Sequence, residues 1–260
     1  MKKHIKYKKN YLTNVIFKIE FSPILKLSTI KKSAGEEFQE YIYDRFPHVN
    51  FQYRNKYDFE INTVENNDSN INKQRELNWI FSDDNDKKHV ELSAKNLILS
   101  YPKDSYKNFN NYLDDVCFLL NGMQQFYPLD LKWMGIRYIN QINEKEINEN
   151  NIKEYINESL INNIIFDLNG AKFSQMITRL ELIKNNYNLT LQYGFFNPAF
   201  PQPDFKKDFI LDYDCKLLLN SKTFSLEYIK KELIEMNEYI FTLFEYATTP
   251  KLKDLMEKEQ

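Results

Sequence analysis

Residues 77–99 confine this chain to antiparallel pairing. Leu77, Trp79 and Phe81 alternate with polar neighbours, Ser82 to Lys88 is a polar turn, and Val90, Leu92, Leu97 and Leu99 resume the alternation. A period of two marks strands buried on one face. Connections this short cannot carry a crossover to a parallel neighbour, so these strands must run antiparallel. The pattern recurs in Val15, Phe17, Ile19 and Phe21 and again in Phe51, Tyr53, Tyr57, Phe59 and Ile61, with the Asn- and Asp-rich residues 65–73 reading as a loop. Between those strands Phe38, Tyr41, Ile42 and Arg45 repeat at helical spacing until Pro47.

Two long stripes follow a different period. Phe109, Leu113, Val116, Leu120 and Met123 predict a helix opened by Pro102 and Asp104 or Ser105. Leu226, Ile229, Leu233, Met236, Ile240 and Phe244 predict another from Ser225 to Ala247, stopped by Pro250. Between them lie the strand Trp133 to Ile142, a short helix near Ile152 to Ile156, and strands at residues 173–183, 188–196 and 208–218. The expected fold class is α+β: an antiparallel sheet in two similar halves, each with one long amphipathic helix packed on the sheet. Residues 11–249 read as a single domain with pseudo-halves 11–128 and 129–249, flanked by a basic N-terminal arm at 1–10 and a charged tail at 250–260.

Composition narrows the function classes. A chain of 260 residues, 42% hydrophobic, is long enough for one large core. The formal charge of -2 gives no overall bias toward nucleic acid or an anionic membrane. With 5 Gly and no phosphate loop, dinucleotide fingerprint or Gly-x-Ser-x-Gly, nucleotide cradles and serine hydrolases are not expected. No apolar run approaches the ~18 residues of a membrane span, and none follows the basic start as a signal peptide requires. Cys117 and Cys215 sit among apolar neighbours and read as reduced core residues of a cytoplasmic protein. His4, His48 and His89 have no metal-ligand spacing with each other or with either cysteine, so neither metal nor cofactor is expected.

Three constellations remain. On a strand, Gly135, Arg137 and Ile139 share one face, and Ile136, Tyr138 and Asn140 the other. Gly135, Arg137, Tyr138 and Asn140 are the candidate binding residues: a guanidinium beside a glycine that admits a ligand. The competing reading pairs Arg137 with Glu181 or Asp212 across the sheet. Asp208, Asp212 and Asp214 share a strand face at about 7 Å spacing, open to Mg²⁺ or to pairing with Lys206, Lys207 and Lys216. Lys2, Lys3, Lys6, Lys8 and Lys9, with Tyr7 and Tyr11, form a candidate nucleic-acid arm or a solvated terminus. The 18 Tyr exceed what burial with satisfied hydroxyls comfortably takes, which directs some of them to partner surfaces.

The segment Gly135-Ile136-Arg137-Tyr138-Ile139-Asn140 is the most specific element of a wider resemblance. With the strand Val15 to Phe21, the helix entry Tyr106 to Phe109, the strand Leu211-Asp212-Tyr213-Asp214, and the ending Phe244 to Thr249 followed by Leu255-Met256, the chain resembles a sporadically distributed, largely uncharacterised family of prokaryotic proteins of this length. That resemblance implies no activity. The family's patchy distribution is the pattern of mobile, defence or toxin-linked genes. The expectation is a non-enzymatic binding or partner protein of a prokaryotic multi-component system, with a protein partner. The alternatives are an RNA- or DNA-interacting protein and a Mg²⁺-dependent hydrolase on Asp212 and Asp214.

Overall fold

Alternation along each strand becomes two unlike sheet faces in the computed structural model, which describes residues 7–28, 35–60, 70–162, 173–202, 206–219 and 225–257. Lys2, Lys3 and Lys6 of the expected basic arm lie outside the described residues. In chain order the elements are β1 (Leu12–Phe21), a 3-10 turn (Leu25–Ser28), α1 (Glu36–Ile42), β2 (His48–Glu60), β3 (Asn70–Ser82), β4 (His89–Ser93), β5 (Asn96–Pro102) and α2 (Phe109–Phe126). They continue with β6 (Leu131–Ile142), α3 (Ile152–Tyr155), α4 (Glu158–Ile161), β7 (Met176–Lys184), β8 (Tyr187–Phe196), β9 (Asp208–Leu218), α5 (Leu226–Ala247) and α6 (Pro250–Leu255). The strands form one nine-stranded sheet in the order β2-β3-β4-β5-β1-β6-β9-β8-β7. Every pairing is antiparallel, so the class is α+β.

The middle of the sheet is the β1–β6 pair, from which β5, β4, β3 and β2 extend one way and β9, β8 and β7 the other. Across the centre Leu99, Phe17, Ile136, Cys215 and Leu189 stand in register, all buried on one face. The stripes of α2 (Leu113, Val116, Leu120, Met123) and α5 (Ile229, Leu233, Met236, Ile240) belong to the same core cluster, and the two helices touch each other. Burying a side chain of this size stabilises by about 1.5–3 kcal/mol, so the helix-covered face carries most of the fold's stability. The opposite face carries Lys18, Arg137, Asp214 and Thr190, side chains that remain partly solvated.

Four boundaries differ from the sequence expectation. Residues 70–73 belong to β3 and not to a loop, paired with β2 out to Glu60. Helix α2 begins at Phe109 instead of near Asp104: Asp104 adopts φ 64°, Ser105 turns its hydroxyl onto the Pro102 carbonyl, and Asn108 caps the helix by accepting from the Asn111 amide at 2.9 Å. Pro250 starts a helix where it was expected only to end one. Its fixed φ and missing N–H suit the first helical position, and Thr249 caps α6 through the Leu252 amide. Residues 250–257 are therefore no charged tail, because Leu252 and Met256 are buried in the core. The described part of the expected arm is likewise tied down, with the Lys8 and Lys9 amides donating to the Glu257 and Met256 carbonyls at 2.9 and 3.0 Å.

Candidate binding pocket

Strand β6 divides the candidate residues between the two sheet faces. Gly135 and Arg137 lie on the solvated face, Tyr138 and Asn140 beneath the helices. On the solvated face the Arg137 guanidinium grips Asp212 with two bonds, Nε to Oδ1 at 2.8 Å and an Nη2 bond to Oδ2 at 2.6 Å. These bonds outweigh partial burial and raise the pKa of Arg137. Gly135 faces the adjacent strand and opens no ligand site: an added Cβ would lie 2.9 Å from the Cys215 carbonyl oxygen. It lets β6 and β9 approach.

The other acidic and basic candidates are also engaged. Asp214 meets Lys216 at 3.1 Å, and Asp208 meets Lys206 at 3.2 Å and the Gln141 amide at 2.7 Å. Among the described residues no three His, Cys, Asp or Glu side chains cluster as metal ligands do. Lys8 pairs with Glu257 at 3.3 Å and Lys9 with Glu146 at 2.8 Å. Burial is the leading cause that pushes up both thiols, Cys215 to about 12, so neither carries a reactive thiolate.

Under the helices, Tyr138 and Asn140 open into a cavity of about 230 Å³. Strand β6 and five further stretches of chain build it. The N-terminal segment supplies Tyr7, Asn10 and Leu12, and the entry to α2 supplies Tyr106, Lys107, Asn108 and Phe109. Strand β9 contributes Tyr213, α5 contributes Asn237, Ile240, Phe241 and Phe244, and Met256 closes one side. The α5 residues reach the cavity together because positions three and four apart share a helix face. Exposed Asn10 and Lys107 form the rim, while buried Tyr138, Asn140 and Tyr213 form the floor.

The floor is held by its own bonds. The Tyr138 hydroxyl donates to Asn237 Oδ1 at 2.8 Å, and the Tyr106 hydroxyl stands 3.4 Å from it. The Asn140 amide donates to the Leu211 carbonyl at 3.2 Å. Behind them the rings of Tyr101, Tyr106 and Tyr112 pack edge to face, an arrangement favoured by ring quadrupoles. Burial raises the pKa of Tyr106 to about 12 and those of Tyr138 and Tyr213 well above the usual phenol value. All three phenols therefore stay protonated and serve as hydrogen-bonding groups.

Tyr213 is the unusual member. It is fully buried and lines the cavity, and its hydroxyl has no hydrogen-bond partner among the described residues. Alternation with Asp212 and Asp214 puts Tyr213 on the opposite, apolar face of its strand, with Leu211 and Cys215. The available signal was a hydroxyl alternating with Leu211 and Cys215 on a face with no predicted partner for it. Asn237, Lys107 and Asn10 carried no local signal, because distant segments bring them together.

A buried carboxylate anchors the wall behind the pocket. Asp115 on α2, 4% exposed, accepts from Arg45 at 2.7 Å, Lys88 at 2.6 Å and the Tyr101 hydroxyl. Burial pushes its pKa up, and the bonds from Lys88, Tyr101 and Arg45 more than offset that and hold it below the usual value. No helix among the described residues is long and apolar enough to cross a membrane. No protein-family model matches the chain, and no curated protein does.

Proposed function

We propose that the protein is a non-enzymatic binding protein of a prokaryotic multi-component system, of the defence or toxin-linked kind, and that the pocket between α2, α5, β6 and β9 receives its ligand. The observation that supports this most is the Tyr213 hydroxyl, buried in the cavity wall without a partner among the described residues. An unsatisfied buried hydroxyl costs about 1–3 kcal/mol, a cost that is removed when a bound molecule supplies the acceptor. The rest of the lining is apolar side chains, protonated phenols, carboxamides and Lys107, groups that hold and orient a ligand. Native mass spectrometry of protein isolated from its own cells tests the reading. A small molecule retained by the wild type and lost in Ile240→Phe, which fills the cavity, supports it. Both proteins appearing at the masses of their bare chains refutes it.

A protein partner is the second part of the proposal, supported by the edge strand β2. Val49, Phe51 and Tyr53 are 41%, 47% and 48% exposed in one row, with Phe51 beside Trp79 at a ring distance of 6.2 Å. A row of apolar side chains on a sheet edge suits a partner that adds its own strand. Size-exclusion of the protein with the products of neighbouring genes should give a complex that Phe51→Lys dissolves. A lone monomer in every mixture argues against it.

A further inference from the structure

The pocket's described lining carries one cation, Lys107, and free donors beside its acceptors. The Asn10, Asn108 and Asn237 side-chain oxygens already accept, from the Leu12 amide, the Asn111 amide and the Tyr138 hydroxyl. Each keeps its NH₂ group as a free donor, beside a second lone pair on its oxygen. Tyr213 adds an unpartnered O–H, and Lys107 adds an ammonium at the rim. Among the described residues the lining contains no Asp or Glu. The rim also borders the N-terminus of α2, an 18-residue helix whose first-turn amides and dipole favour negative charge. On the acceptor side the Asn140 carboxamide oxygen remains, since its NH₂ is engaged by Leu211.

Size limits the ligand as firmly as polarity does. A cavity of about 150 Å³ holds benzene, about 25 Å³ for each of six non-hydrogen atoms, so a volume of about 230 Å³ admits about nine. Phe109, Phe241, Phe244 and Ile240 offer apolar and aromatic contact for a ring. We infer that the ligand is a small aromatic carboxylate, its ring between α2 and α5 and its carboxylate at the rim, on Lys107, Asn108 and the start of α2. This identification rests on the pocket being the ligand site. A polar atom on the far side of the ring would meet Tyr213.

Benzoate and benzamide, equal in size and differing in charge, provide the test on the full chain, read by ligand-detected NMR or calorimetry. Benzoate should bind about ten-fold more tightly than benzamide, the increment of one charge-assisted hydrogen bond. Lys107→Met should abolish that preference, and Lys132→Met, on the exposed start of β6, should leave it intact. 4-Hydroxybenzoate should gain affinity over benzoate in the wild type and lose the gain in Tyr213→Phe. Benzamide binding as tightly as benzoate, or Lys132→Met acting like Lys107→Met, overturns the carboxylate assignment and leaves the pocket reading standing. Failure of all three compounds to bind at millimolar concentration overturns both.

Discussion

Tyr138→Phe and Tyr213→Phe make the same chemical change at two residues that face each other across β6 and β9, and they should move stability in opposite directions. The Tyr138 hydroxyl donates to Asn237 at 2.8 Å. Its loss forfeits one hydrogen bond, about 1 kcal/mol. The Tyr213 hydroxyl is buried with no partner, and replacing it by hydrogen removes a desolvation penalty of about 1–3 kcal/mol while the ring still fills its place. A gain of about 1 kcal/mol is the conservative expectation, giving a separation between the two variants of about 2 kcal/mol. At about 2–4 °C per kcal/mol for a chain approaching this size, the two midpoints should differ by about 4–8 °C. Urea unfolding with an unchanged m-value supplies the free energies, and thermal unfolding supplies the midpoints. If Tyr213→Phe destabilises as much as Tyr138→Phe, the Tyr213 hydroxyl is satisfied in the free protein, and the argument that it awaits a ligand collapses.

Other expectations follow from individual contacts. Asp115→Ala strands Lys88 and the buried Tyr101 hydroxyl and leaves Arg45 to Asp114 alone, and should cost about 3 kcal/mol in urea unfolding, at the low end for a broken buried pair because both cations are partly solvated. The folded-state pKa of Asp115 lies below its ordinary value, so its contribution is complete above about pH 4 and lost as pH falls through the folded value. Asp115→Asn should flatten that acid limb, and an unchanged limb assigns acid lability elsewhere. Gly135→Ala pushes a Cβ against the Cys215 carbonyl and should destabilise by about 1–3 kcal/mol; a neutral result means the strands separate without strain. Leu252→Ala should cost about 2–5 kcal/mol, since Leu252 is wholly buried. A negligible effect would return residues 250–257 to the status of a solvated tail.

What the sequence made legible was periodicity. Alternation placed Ile136, Tyr138 and Asn140 on one face and Gly135, Arg137 and Ile139 on the other, and the structure keeps that division. It also separated Tyr213 from Asp212 and Asp214, and Asp212 was one of two named partners for Arg137. Local chemistry that depends on a backbone angle was harder to read. Asp104 at positive φ and Asn108 as the cap delay α2, and Pro250 serves equally well after one helix or at the start of the next. The pocket was the least legible feature. Its walls come from residues near 7–12, 106–109, 138–140, 213 and 237–244, and no periodic signal in one segment reports what a distant segment brings against it. The leftover Tyr213 hydroxyl becomes informative only once its surroundings show no acceptor.

The proposed ligand site lies under the helices and not on the Arg137 face of the sheet. Isotope-labelled side-chain NMR separates the two faces directly, because the Asn140 and Asn237 carboxamides report the pocket and the Arg137 guanidinium reports the solvated face. On titration with benzoate, the Asn140 and Asn237 signals should shift along a saturable curve while that of Arg137 stays fixed. A saturable shift of Arg137 with the two carboxamides unmoved would contradict the account and return the site to the opposite face of β6.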